Sequence, residues 1–388
     1  MAAHAGAKIT NNNLSFTYDL SNGKSFKGKP TTNLLLSSTQ NHTGGMGSYW
    51  YGVISTNNFE KGFPSFKVTT VDDANNKSDG FITSNGGNLT DGTTYTWSAD
   101  VWIPTGKSVM LRIRNISGGY FRSGSNVTVN GSSSWVRVSR TFTADTNTAG
   151  RIEGQSQDPA SDVYSFWVKN LQIEENDFAT PFVAGTRSNT QAILDLTGNQ
   201  TVTAESLTYS SSDTTFGANS DYVTIGDFDD LFGSGSINAT LEFWIKPPTT
   251  TNRIFVGRFP PSVSDHRFYI GSYGNEWDLG WGAYAWNNGH SGTRPTRDGN
   301  QWQQIVVSIS SGVASFYKNG VLGFTKTDTS VSQGAVPFTI GAYFNTGGGI
   351  DTNYHSAEDI DVVRVYNRAL SATEINQNFN ALRRRFGL

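Results

Sequence analysis

The chain has no cysteine in its 388 residues. Disulfides, thiolate metal sites and cysteine nucleophiles are therefore excluded. Proline is sparse, at 11 residues, and only 16% of residues are charged. The net charge is −3, and the one basic run is Arg383, Arg384 and Arg385. Nucleic-acid binding needs a basic surface to neutralise phosphates, so no nucleic-acid partner is expected. No apolar run approaches the ~20 residues of a membrane helix, so no membrane insertion is expected. The opening residues, MAAHAGAKITNNN, lack the apolar h-region of a secretory signal. The expectation is synthesis in a cytoplasm and retention there, or exit by a route other than secretion.

Metal and phosphate signatures are also missing. His4, His42, His266, His290 and His355 are scattered and form no zinc spacing. Asp227, Asp229 and Asp230 cluster, as do Asp72 and Asp73, but neither group follows a calcium-loop code. Such clusters more often form turns. No cofactor is expected, and calcium has no support in the spacing. No glycine-rich loop opens a helix, so a phosphate cradle has no support.

What the chain does have is glycine, aromatics and alternation. It carries 42 glycines, where average usage gives roughly 27. Aromatics reach 13%. "TYTWSADVWI" (94–103) places Tyr95, Trp97, Ala99, Val101 and Ile103 on one face of a strand. "WVRVSRTFTA" (135–144) and "ATLEFWIKP" (239–247) alternate in the same way. In "ASFYKNGVLGFT" (314–325), Asn319-Gly320 suits the type I′ turn of a hairpin. Turn-forming clusters separate these runs, as in an antiparallel sandwich.

One helix is expected, in "SATEINQNFNALRRRF". Ser371 and Glu374 form a capping box. Ile375, Phe379, Leu382 and Phe386 make one apolar stripe. Arg383 to Arg385 are expected in the last turn, where cations suit the helix dipole.

Several blocks resemble the laminin-G-like, concanavalin-A-like jelly rolls. They are "LEFWIKP" (241–247), "WQQIVVSIS" (302–310), "ASFYKNGVL" (314–322), "FTIG" (338–341) and "DIDVVRVYNRALSATEI" (359–375). Together they cover most of residues 215–388. Residues 33–185 resemble a carbohydrate-binding-module jelly roll, through "TTNLL", "YTWSADVWIP", "WVRVSRTFTA" and "FWVKNLQIEENDFATPFVAGTRS". The closing "QIE…ATPFVAGTRS" is similar to segments of bacteriophage structural proteins. The implied fold class is all-β: two antiparallel β-sandwich jelly rolls with one C-terminal α-helix.

In phage-type laminin-G-like domains, a stretch like "LSFTYDLSNGKSFKG" (14–28) leads straight into ones like "LDLTGN" (194–199) and "SDYVTIGD" (220–227). Here about 160 residues intervene. The expected organisation is therefore an insertion. Residues 1–32 form an N-terminal segment whose strand 14–20 belongs to the laminin-G-like domain. Residues 33–187 form the inserted module, and residues 188–388 the laminin-G-like domain. Simple tandem order is the alternative.

Some concanavalin-A-like glucanases carry a strand motif of three carboxylates on one face, two of them catalytic. "EWDLGWGA" supplies Glu276 and Asp278, with Gly280 and Trp281 at the positions a third would take. No enzyme is expected, and a solvated acidic pair is the preferred reading of the two. Sugar binding needs aromatic platforms with polar groups beside them. In "SYGNEWDLGWGAYAWNNGH" (272–290), parity sends Trp277, Leu279 and Trp281 to the core. Glu276, Asp278, Tyr284, Trp286 and Asn288 take the opposite face. Tyr49, Trp50 and Tyr51 form a second aromatic group, in "GGMGSYWYG". These eight residues are the carbohydrate-contact candidates. Trp102, Tyr120 and Phe121 are further aromatics of interest.

The resemblance implies a virion protein of a bacteriophage, made in the host cytoplasm. It would be a capsid decoration or a capsid or tail fibre, with other virion proteins and host-surface or environmental glycans as partners. A homotrimer is the favoured assembly. A purely structural decoration protein and a polysaccharide depolymerase are the alternatives.

Overall fold

The computed structural model describes residues 8–49, 51–72, 79–115, 119, 126–159, 161–209, 214–216, 221–226, 228, 238–250, 252–258, 267–282, 289–327, 338–342 and 358–388. The chain is mostly β, in two sandwich-like domains with a short C-terminal helix. It divides into two compact units. One comprises Met1–Gly28 with Asn189–Leu388, the other Lys29–Ser188.

In the first unit the seven-stranded antiparallel sheet runs in the order Leu14–Asp19, Asp359–Tyr366, Asn238–Lys246, Gln303–Ser310, Val313–Lys318, Val321–Thr327, His290–Gly292. The first strand of the chain thus pairs with its last, Phe16 opposite Val365 and Tyr18 opposite Val363. A six-stranded sheet faces it, ordered Val202–Glu205, Tyr222–Ile225, Phe338–Ile340, Ile254–Arg258, Arg267–Tyr273, Glu276–Gly282. Phe16, Leu241, Phe243, Ile245, Val307, Ile270, Trp277 and Leu279 belong to the core of this unit. The Asn319-Gly320 turn joins two of the strands with φ of 50° and 78°. These left-handed values are what a type I′ hairpin demands.

The strands Asn238–Lys246, Gln303–Ser310 and Asp359–Tyr366 of the seven-stranded sheet are buried on both faces. Between the core positions of Asn238–Lys246 lie Glu242 and Trp244, both fully buried. They are covered by the helix Ala372–Leu382 and the turns after it. Ile375 is buried, and Phe379 and Leu382 pack with Phe386 around Trp244. The Trp244 ring stacks on Phe386 at 4.3 Å and on Phe379 at 6.0 Å.

Ser371 and Glu374 form the capping box. The basic run departs from expectation. The helix ends at Leu382, Arg383 is its C-cap, and no cation lies in the last turn. Arg385 instead binds the Asp19 carboxylate, at 2.8 and 2.9 Å, and Asp361. Two carboxylates on neighbouring strands satisfy the guanidinium, in place of the helix carbonyls.

Arg368 hydrogen-bonds Glu374, and this, with the cap, lowers the Glu374 carboxyl from its ordinary 4.5 to about 2. Its stabilising contribution is present above the ordinary value and is lost as pH falls through about 2. Ser371→Ala should cost about 1 kcal/mol. Glu374→Gln should lower the melting temperature at pH 7, with the deficit closing as pH falls toward 2. Thermal melts across pH check both.

In the second unit one sheet runs Asn126–Asn130, Ser108–Asn115, Thr148–Ser156, Gly80–Thr83, Met46–Tyr49, with Asn88–Leu89 also on the Thr148–Ser156 strand. The other runs Trp135–Thr143, Thr94–Trp102, Ser165–Glu174, Ser65–Thr69, Val53–Asn58. Phe66, Phe81, Trp97, Leu111, Ile113, Ile152 and Phe166 belong to the core between them. The ends of this unit meet. Thr31–Thr32 pairs antiparallel with Thr186–Arg187, and the Arg187 guanidinium donates to the Lys29 and Pro181 carbonyls.

Candidate functional site

Two adjacent strands of the second unit build a polar face. In Ser108–Asn115, Val109, Leu111 and Ile113 enter the core. Period 2 therefore turns Met110, Arg112 and Arg114 outward. In Thr148–Ser156, Ile152 enters the core, so Arg151, Glu153 and Gln155 turn outward. Register sets Arg151 opposite Arg114, Glu153 opposite Arg112 and Gln155 opposite Met110. On the far side Gln155 is opposite Gly80, and Gly80 opposite Tyr49. Gly80 has no room for a side chain, since a Cβ there would lie 1.8 Å from the Gly154 carbonyl oxygen.

Glu153 is fully buried and both its oxygens are engaged. Arg112 Nε donates to Oε1 at 2.6 Å and Arg112 Nη2 donates to the same oxygen. Arg114 Nη1 donates to Oε2 at 2.8 Å. Both guanidiniums also reach the Tyr49 hydroxyl, at 3.4 and 3.5 Å, and Arg112 Nη2 reaches Gln155 Oε1 at 3.2 Å. One buried carboxylate thus fixes two cations and, through them, a tyrosine. The result is a rigid array of donors beside an aromatic ring. Glu153 is the one carboxylate that these strands turn to this face among the described residues.

Of the other aromatics in that group, Tyr51 is 50% exposed, and its backbone N–H donates to Asp79 Oδ1 at 3.3 Å. Trp50 lies outside the described residues, as do Tyr120 and Phe121. Trp102 is on the other sheet, edge-on to Trp167 at 5.1 Å with Lys61 Nζ 3.7 Å above its ring.

The Glu276–Gly282 strand follows its parity at the start. Trp277 and Leu279 are buried in the core, and the Trp277 indole donates to Gln303 Oε1 at 2.9 Å. The expectation of a solvated acidic pair fails for Asp278, which is 0% exposed. Its Oδ2 accepts from the Tyr269 hydroxyl at 3.0 Å, and Arg294 Nη1 and Lys326 Nζ each lie 3.9 Å from Oδ1. Glu276 is ion-paired to Arg294. The cause is the segment after residue 292, which runs along the edge of this strand. Trp277 N–H donates to the Pro295 carbonyl at 2.9 Å and Arg297 N–H to that of Asn275 at 2.8 Å. Burial lowers the Lys326 ammonium, against the opposing pull of Asp278. Gly280 lies under the Tyr269 ring, where a Cβ would be 2.0 Å from a ring carbon. Tyr284, Trp286 and Asn288 lie outside the described residues. No group of three or more potential metal ligands occurs among the described residues.

Arg112, Arg114, Glu153 and Gln155 were not singled out from the sequence. The signal was present in "VMLRIRN" and "RIEGQS", where charge alternates with core residues. Only the pairing of the two strands shows that the charges meet.

The fold is that of a β-sandwich protein with two sandwich-like domains. Residues 216–376 match the family model of the concanavalin A-like lectin/glucanases superfamily. No curated protein matches the chain. Among solved structures, the binding domain of botulinum neurotoxin DC in complex with SialylT is 16% identical, with a TM-score of 0.38 over 50% of each chain. The chain therefore spans about half the length of that domain. A CBM4 structure is 19% identical, with a TM-score of 0.28 over 34% of this chain and 95% of that one. The enzymatically active domain of tailspike protein 4 from bacteriophage CBA120 is 9% identical, with a TM-score of 0.28 over 37% and 21%.

Proposed function

We propose that this is a non-catalytic glycan-binding protein and that its binding face is the Tyr49, Arg112, Arg114, Glu153, Gln155 array. The observation that carries the reading is the double clamp of Arg112 and Arg114 on buried Glu153. It holds donors at fixed positions beside the Tyr49 ring, so little freedom is lost when a sugar docks. The ring offers an apolar platform to a pyranose, and the guanidiniums and Gln155 meet its hydroxyls. Catalysis is not part of the proposal. Glu153 is committed to two arginines, Glu276 to Arg294, and Asp278 to Tyr269.

The glycan-binding units would act as an adhesin on a bacteriophage particle, as a decoration or fibre assembled in the host cytoplasm. The sequence similarity at residues 172–188 supports this carrier. A chain without cysteine folds without disulfides, so a reducing cytoplasm permits its assembly. Mass spectrometry of purified particles from a lysate tests the carrier, and absence of the chain from them would refute it.

A glycan array tests the binding face. Wild-type protein should retain at least one polysaccharide without releasing products from it. Tyr49→Ala and Gln155→Ala should each weaken retention about tenfold, or ~1.4 kcal/mol. Retention unchanged in both variants would remove this face from the proposal. Cleavage by the wild type would overturn the non-catalytic reading.

A further inference from the structure

The opposite sheet of the second unit carries a cleft of about 450 Å³, within the roughly 300–1,000 Å³ of small-molecule sites. Phe63, Pro64 and Phe182 supply apolar walls, and His42, Lys169 and Asn170 supply polar ones. Phe63 is 52% exposed, so its ring is open to a ligand.

The backbone around this cleft is strained. His42 and Asn170 have φ of 61° and 52°, and Asn57, whose N–H donates to the His42 carbonyl at 3.1 Å, has φ of 48°. Left-handed backbone at non-glycine residues costs about 1 kcal/mol or more each and gathers at functional sites. The strain positions two groups. A register shift after Lys169 lifts Asn170 out of the ladder, and its N–H donates to His42 Nε2 at 3.3 Å. A neutral His42 ring therefore carries its proton on Nδ1. Burial, with Lys169 adding to it, lowers the His42 pKa and favours that neutral form.

Lys169 Nζ lies between two rings, 3.5 Å from the Phe63 centroid and 4.5 Å from that of Trp135. Its nearest carboxylate on the partner strand, Asp100, is already spent on Arg137 at 3.0 Å and Asn170 at 2.6 Å. The cleft thus holds one cation and the His42 ring N–H beside apolar walls, with the Gln40 and Asn41 amides also on its lining.

We infer that this cleft is a second saccharide site, separate from the Tyr49 face, and that it takes a carboxylate-bearing sugar of the hexuronate class. The carboxylate meets Lys169 and His42 Nδ1–H, and the C–H face of the ring packs on Phe63 and Phe182. One ammonium and one neutral donor match a monoanion. A phosphate ester, with charge near −2, calls for more cations than the one lysine of this lining.

Calorimetry on the full chain tests this, with trigalacturonate and its carboxyl-reduced counterpart, galactotriose, as probes. Trigalacturonate should bind at least tenfold tighter than galactotriose, and more weakly as salt rises. Lys169→Met, which keeps the apolar stem between the rings, should lose that preference. Phe63→Ala, at an exposed position, should weaken binding without loss of fold. The His42 ring signals should shift on titration of the wild type followed by NMR. Equal affinity for the two probes, no binding of either, a preference kept in Lys169→Met, or unmoved His42 signals would each overturn the site. None of these results depends on the Tyr49 face, which array retention reports separately.

Discussion

Glu153→Ala is expected to destabilise the unit formed by residues 29–188 by about 3–5 kcal/mol and to abolish glycan retention. The argument is one of uncompensated charge. The side chains of Arg112 and Arg114 are 11% and 16% exposed, so water replaces the lost carboxylate only in part. Removing one partner of a buried pair leaves the other's desolvation unopposed. Here a single truncation strands two cations. Arg114 also stands opposite Arg151, whose Nε is buried without a hydrogen bond among the described residues. Glu153→Gln keeps the shape and one acceptor oxygen, so its cost should be smaller. It should still loosen the clamp and weaken retention. Urea midpoints at constant slope measure the stability change. A midpoint shift under 1 kcal/mol for Glu153→Ala would show that the array is solvated and not preorganised.

The all-β class and the C-terminal helix were legible because both rest on local periodicity. Tyr95, Trp97, Ala99, Val101 and Ile103 are all buried, as their alternation requires. The capping box of Ser371 and Glu374 is a three-residue signal that depends on nothing distant. What alternation cannot report is whether the second face of a strand is covered. Glu242 and Trp244 alternate with core residues, yet both are buried by a helix more than 100 residues later. Asp278 has the parity of a solvent-facing residue and is buried at the strand edge by Arg294 and Lys326. The clamp on Glu153 needs the register of two strands about 40 residues apart, which the hydrophobic pattern of each strand alone does not set. The cleft is more distant still, since residues 42, 63 and 169 share no spacing that a sequence could display.

The second large effect belongs to the other unit. Glu242→Ala should destabilise it by about 3–5 kcal/mol and loosen the C-terminal helix. Glu242 Oε1 accepts from Arg364 Nη1 at 2.9 Å, Gln304 Nε2 at 3.0 Å and the Trp244 indole at 3.3 Å. Its Oε2 accepts from Asn378 Nδ2 at 2.8 Å, and Asn378, through the same amide, also reaches the Tyr366 hydroxyl. One carboxylate therefore links three strands of the sheet to the helix above them. The stacking of Trp244 on Phe379 and Phe386 would remain in the variant, so the helix would keep its apolar contact while losing its polar register. Amide exchange should accordingly accelerate across residues 372–382 more than in the sheet. The double variant Glu242→Leu, Arg364→Met separates charge from packing. Replacing a buried pair by apolar groups of similar volume is often neutral or stabilising. The double variant should therefore recover most of the loss that Glu242→Ala suffers. If it stays as unstable as the single variant, the carboxylate's bonds to Gln304 and Asn378, and not its charge on Arg364, hold the helix in place.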